Sequence, residues 1–127
     1  MLKRVADGLT KNEYRLSQDD PDTRLRPWLL AMDADEVATT VDDAIAGHSR
    51  WTLLDQLRNS AGHQLHLTRR TPIFRFVDDV RLEITPSSDG CRIDAHSQSR
   101  IGKGDLGQNR RNLIELHQLL VAAANSQ

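Results

Sequence analysis

The densest run of chemistry-bearing residues is Ser97-Gln98-Ser99-Arg100-Ile101-Gly102-Lys103-Gly104-Asp105-Leu106-Gly107-Gln108-Asn109-Arg110-Arg111. Residues 100–111 hold four basic side chains and one acidic one, net +3 by subtraction, in a chain whose formal charge is −1. Gly102 and Gly104 would let backbone N–H groups approach an anion closely. Arg100, Arg110 and Arg111 would supply planar forks for a carboxylate or phosphate. The run leads into a helix start, where unpaired N–H groups and the positive end of the helix dipole gather. One reading is an anion-binding loop. The other is an internal lock, in which Asp105 caps the helix and Arg100 pairs with Asp78 or Asp79. Gly102 to Gly107 fits Gly-x-Gly-x-x-Gly, but it follows an antiparallel hairpin and opens no βαβ unit, so a dinucleotide site is not expected. The P-loop pattern is absent.

A second segment, Phe74-Arg75-Phe76-Val77-Asp78-Asp79-Val80, holds adjacent carboxylates. They could bind a cation or act as acid and base. In a strand they point to opposite faces, so only one can serve a given site. The histidines are His48, His63, His66, His96 and His117, and their spacing makes no helical metal clip. No metal or cofactor is expected. His96 beside Ser97 makes a poor catalytic pair, because strand neighbours diverge. No catalytic residue is assigned. The ligand-binding candidates are Ser97, Ser99, Arg100, Lys103, Asp105, Asn109 and Arg110, with Asp78 and Asp79.

These residues need elements to hold them. Arg24 to Met32 is short and apolar, and Pro27 limits it to an edge strand or lead-in. Asp33 and Glu36 have capping-box spacing, and Val37, Val41, Ala44 and Ile45 recur at helical period, which predicts a helix over 34–47. Trp51–Leu57 reads as a strand with Trp51 and Leu53 on one side and Leu57 a candidate for the same side. Asn59 to Gly62 reads as a turn. Leu65 and Leu67 alternate with polar residues, as do Val80, Leu82 and Ile84, and Cys91, Ile93 and Ala95. The clearest hairpin is 79–85 with 91–98, joined by a loop at Pro86 to Gly90. Leu113, Leu116 and Leu120 predict a long helix over 106–124. Strands followed by a long helix imply an α+β domain: a four- to five-stranded, mainly antiparallel sheet, with one helix toward the N-terminus and a long C-terminal helix on one face. A helix-grip or TATA-binding-protein-like arrangement is the expected form. Residues 1–23 are expected to be a polar arm and 24–127 a single domain.

The chain has 127 residues, enough for one domain with its own core. A nearly balanced charge argues against general nucleic-acid binding. No apolar run approaches the roughly 20 residues of a membrane span. Cys91 is the lone cysteine, which excludes an internal disulfide and fits a reducing compartment. The opening residues have two early positive charges but no apolar stretch after them, so a cytoplasmic location is expected.

Taken in order, the two polar segments resemble the domain-of-unknown-function family numbered 1499. That family is marked by Phe-x-Phe-x-Asp-Asp-Val, then a hairpin, then Ser-x-Ser-Arg-x-Gly-x-x-Asp-Leu-Gly-x-Asn-Arg. Phe74 to Val80 and Ser97 to Arg110 match these patterns, and the resemblance covers about residues 24–122. Where many members carry Arg before the first Ser, this chain has His96, and it has no cysteine before Cys91. The resemblance implies that Arg100, Asp105, Asn109 and Arg110 form a unit with Asp78 or Asp79, and it brings no reaction. The expected function is a non-catalytic binding or interaction module for a small anionic ligand or a protein partner. The alternatives are a structural or assembly module, and a small enzyme using Asp78 or Asp79 with Arg100.

Overall fold

Period-two alternation in four consecutive segments folds back and forth into one sheet, and the two helical-period segments cover one of its faces. The computed structural model describes residues 12–72, 76–100 and 107–126. The elements are β1 (Glu13–Arg15), a 3-10 turn (Thr23–Leu25), β2 (Trp28–Leu30), α1 (Ala34–Ala46), β3 (Trp51–Asn59), β4 (Gly62–Arg70), β5 (Val77–Ser87), β6 (Gly90–Ser99) and α2 (Gln108–Asn125). The sheet is antiparallel, in the order β1-β6-β5-β4-β3. β1 and β2 share the outer edge of β6, β1 opposite His96 to Gln98 and β2 opposite Cys91 to Ile93.

The α+β class and the long C-terminal helix are as expected, but among the described residues the sheet has six strands rather than four or five. The helix-grip and TATA-binding-protein comparisons fit only this coarse arrangement. The extra strand is β1, inside the stretch expected to be a polar arm. Three residues show no readable period, and β1 exists because β6 offers it an edge. Its side chains add support: Tyr14 donates from its hydroxyl to Asp20 Oδ2 at 2.6 Å. Burial, and next Asp20, push the Tyr14 pKa up to about 12.

The core is aliphatic. Val37, Val41 and Ile45 of α1 and Leu113, Leu116 and Leu120 of α2 pack on Leu65, Leu67, Val80, Leu82, Ile84 and Ile93. Trp28, Trp51 and Cys91 are buried with them. α1 begins at Asp33, whose carboxylate accepts from the Asp35 N–H, and ends at Gly47, as the sequence predicts. α2 starts two residues later than expected, with Gly107 at its N-cap. The β5–β6 hairpin is longer than the expected 79–85 and 91–98, and pairing continues to Ser87 and Gly90. Gly90 has φ +148, and a Cβ there would lie 1.9 Å from the Leu30 carbonyl oxygen. Glycine is needed because β2 crosses so closely.

A bulge between Leu53 and Asp55 changes the parity of β3. Asp55 therefore stands opposite His66, and Leu57 opposite Gln64. Leu53 packs against the core, whereas Leu57 is exposed. The expectation of a shared side for Trp51, Leu53 and Leu57 fails at Leu57 for this reason. Among the described residues, no helix is long and apolar enough to cross a membrane.

Candidate functional site

Antiparallel register lines up Trp51, Arg69, Asp78 and Ser99 as one row across β3, β4, β5 and β6. Asn12 extends the row, because its carbonyl accepts the Ser99 N–H. Trp51, Arg69, Asp78 and Asn12 are all buried under α2. Such a row needs polar partners, since a buried donor or acceptor left unpaired costs about 1–3 kcal/mol. The helix provides them at three-residue spacing. Asn109 Nδ2 donates to the Asn12 carbonyl (2.7 Å) and to Ser99 Oγ (3.1 Å), and Ser97 Oγ donates to Asn109 Oδ1 (2.7 Å). Asn112 Nδ2 donates to Asp78 Oδ2 (2.8 Å) and Ser97 Oγ (3.1 Å), while Gln108 Nε2 donates to Asn112 Oδ1 (2.7 Å).

Glu115 completes the seam. It accepts from Trp51 Nε1 at 2.5 Å and from Arg69 Nε and Nη2 at 3.0 and 3.2 Å. Burial raises the Glu115 pKa, but the Arg69 and Trp51 hydrogen bonds outweigh it, and the net shift is downward. Residues 109 to 115 rise about 9 Å along the helix. Four strands span about 14 Å. The long side chains of Arg69 and Glu115 cover the remainder. Asn has poor helix propensity, so its presence twice in one flank of α2 is explained by these bonds.

The opposite face of the sheet is open. Arg15, His96, Arg81 and His66 form a cationic and imidazole row across β1, β6, β5 and β4. On one side of it lies Asp79, which accepts both Arg100 Nε (2.9 Å) and Arg100 Nη2 (3.0 Å) and contacts His66 Nε2 at 2.7 Å. The Arg100 hydrogen bond, opposed by burial and aided by His66, holds the Asp79 carboxyl below its ordinary value. On the other side lie Asp94, Glu83 and Gln64. Together these strands line an open concavity of about 570 Å³, with Leu57 at its β3 side. His96 Nε2 is 3.5 Å from Glu13 Oε1, at the limit of hydrogen bonding, and makes no other bond. Burial, and next the Arg15 guanidinium, lower the His96 pKa against the pull of Glu13. Arg15 and Arg81 make no ion pair or hydrogen bond through their side chains among the described residues.

The nine sequence candidates are therefore split. Ser97, Ser99, Asn109 and Asp78 meet in the seam. Asp79 and Arg100 meet on the open face, with the Arg100 side chain 50 % exposed. Arg110 joins neither and pairs with Asp22 at 2.9 Å beside the 3-10 turn. Lys103 and Asp105 lie outside the described residues, as does Phe74. Sequence reading did not single out Arg69, Asn112 and Glu115. The three-residue spacing of Asn109, Asn112 and Glu115 was the available signal. Nor did it single out Arg15 or Arg81, although period-two alternation puts Arg81 and His96 at outward positions of the β5–β6 hairpin. Among the described residues, no group of three or more His, Cys, Asp or Glu side chains is placed to hold a metal ion.

The family model described as "Protein of unknown function (DUF1499)" matches residues 5–120. The chain belongs to the DUF1499 family. No curated protein matches it. The crystal structure of protein CV1439 from Chromobacterium violaceum is similar over 87 % of this chain and 96 % of that one, at 11 % identity and a TM-score of 0.46. In this DUF1499 member, the two polar segments that carry the family resemblance meet through Asn112, which joins Asp78 to Ser97.

Two outcomes follow from this geometry. Asn109→Ala removes the acceptor of Ser97 and the donor to Asn12 and Ser99, and is expected to cost about 2 kcal/mol in urea unfolding. A change below about 0.5 kcal/mol, the size of an ordinary surface substitution, would show that the seam does not hold α2. The second concerns acid. A carboxylate whose folded pKa is depressed stabilises above its unfolded value, near 3.8 here, and loses that contribution as pH falls through the folded value. The stability difference between the wild type and Asp79→Asn is thus expected to shrink as pH falls from about 5 to 3. Urea midpoints across that range measure it, and a difference that grows on acidification contradicts the assignment.

Proposed function

We propose that this DUF1499 chain is a non-catalytic binding module whose ligand surface is the open face of the sheet, and that it takes a small anion there. The observation that carries the reading is the placement of Arg15 and Arg81 on either side of His96. Two guanidinium groups sit over a concavity with no carboxylate engaged. Cations side by side repel, and an anion between them relieves the repulsion. Arginine forks suit carboxylate and phosphate oxygens in particular.

This reading moves the anion site away from the Ser97 to Arg110 segment. The hydrogen-bond capacity of Ser97, Asn109 and Asn112 is spent on one another and on Asp78 and Asn12, which favours the internal-lock reading for those residues. Asp79 and Arg100 then stand at the rim of the open face as a fixed pair. Catalysis by either carboxylate is disfavoured on physical grounds. Asp78 is 1 % exposed beneath α2. Asp79 is held ionised by Arg100, and a carboxylate of depressed pKa is a weak general base near neutral pH.

Calorimetric titration with succinate and with inorganic phosphate tests the proposal. Arg81→Gln is expected to weaken binding at least about tenfold, the worth of one charge-assisted hydrogen bond, with an unchanged melting temperature. Arg110→Gln is expected to leave binding unaltered. No heat with either anion, or equal binding by Arg81→Gln, overturns it.

A further inference from the structure

On the open face the charges of β1, β6, β5 and β4 are sorted by row, and Asp55 of β3 closes the cationic row opposite His66. Arg81 stands between His96 and His66, with Arg15 beyond His96. One step along the strands, Glu83 stands between Asp94 and Gln64. Arg81 and Glu83 are two residues apart on β5, so they point the same way, about 6.6 Å apart at the backbone. They could neutralise one another, yet no ion pair joins them. Asp94 is occupied by Arg92, which donates to both its oxygens at 3.1 and 3.2 Å. Glu83 has no such partner among the described residues. It faces another acid across the β5–β6 pair, an unfavourable placement for like charges. Arg15, Arg81 and Glu83 are all exposed to the groove side.

From this sorting we infer that the ligand is a zwitterion: its anionic group lies between Arg15 and Arg81, and its ammonium group lies on Glu83. The inference rests on the anion-binding reading of the same face and adds the second pole. A ligand of this kind gives a counter-charge to Arg15, Arg81 and Glu83 at once, whereas a simple anion leaves Glu83 without one. The separation of the rows favours a carboxylate and an amine several bonds apart, as in an ω-amino acid or the two ends of a short peptide.

Three probes of similar length separate the poles: butyrate, γ-aminobutyrate and butylamine. Each is titrated calorimetrically into the wild type, Glu83→Gln and Arg81→Gln. The wild type is expected to bind γ-aminobutyrate about fivefold more tightly than butyrate, the upper range for an exposed charge pair. Glu83→Gln is expected to lose that preference and keep its butyrate affinity. Arg81→Gln is expected to weaken both acids. Equal binding of butyrate and γ-aminobutyrate by the wild type overturns the zwitterion and leaves the anion site standing. A preference that survives in Glu83→Gln also overturns it. Failure of both acids to bind a wild type that binds succinate or phosphate overturns the zwitterion and leaves the anion site standing. Melting temperatures of the two variants are measured alongside, and because both side chains are exposed they are expected to match the wild type.

Discussion

The constraint on which the fold depends is the burial of polar groups under α2. Arg69, Asp78 and Ser97 occupy positions of the sheet that alternation directs into the core. Each would be destabilising alone. The helix must therefore arrive with its own polar flank in register, and Asn109, Asn112 and Glu115 supply it at three-residue spacing. Leu113, Leu116 and Leu120 beside them provide the apolar contact, which does not by itself select one rotation or one axial position of a helix. The hydrogen bonds do, because a shift of one residue would strand several buried groups. The same seam ties Asn12, and through it β1, to the far end of the sheet.

This arrangement divides the two faces of the sheet by environment. One face is closed by α1 and α2 and by the seam. The other is left to solvent, with charges sorted into rows by the pleat and by antiparallel register. Asp78 and Asp79 show the division in two consecutive residues. Asp78 bonds Asn112 within the core, and Asp79 bonds Arg100 and His66 on the outside. A rigid, seam-locked sheet suits recognition by side chains that stand at fixed strand positions.

Much of the fold was legible because period-two and period-3.6 patterns are local. The β5–β6 hairpin, α1 with its Asp33 cap and the leucine stripe of α2 are read directly from residue spacing. β1 was not, since three residues carry no period and its stability lies in pairing with β6. Leu57 was misplaced because a single bulged residue inverts the parity of all that follows, and a bulge leaves no mark in composition. The polar segment around Ser97 to Arg110 was visible, but its division was not. Which of Asp78, Asp79, Arg100 and Arg110 share a face depends on strand parity and on where α2 lands. Arg15 and Arg81 carry no sequence signal because neither belongs to a motif. They become a pair only when β1 and β5 are brought to either side of β6.

The proposal is that Asp78, Ser97 and Asn109 lock the structure while the open face binds. The most direct measurement is a heteronuclear NMR titration with succinate that follows the Arg Nε–Hε and Asn Nδ2 resonances together. The account predicts that Arg15 and Arg81 shift with increasing succinate while Asn109 and Asn112 stay fixed. Shifts confined to Asn109, Asn112 and Arg110, with Arg15 and Arg81 unmoved, would contradict it and return the ligand site to the start of α2.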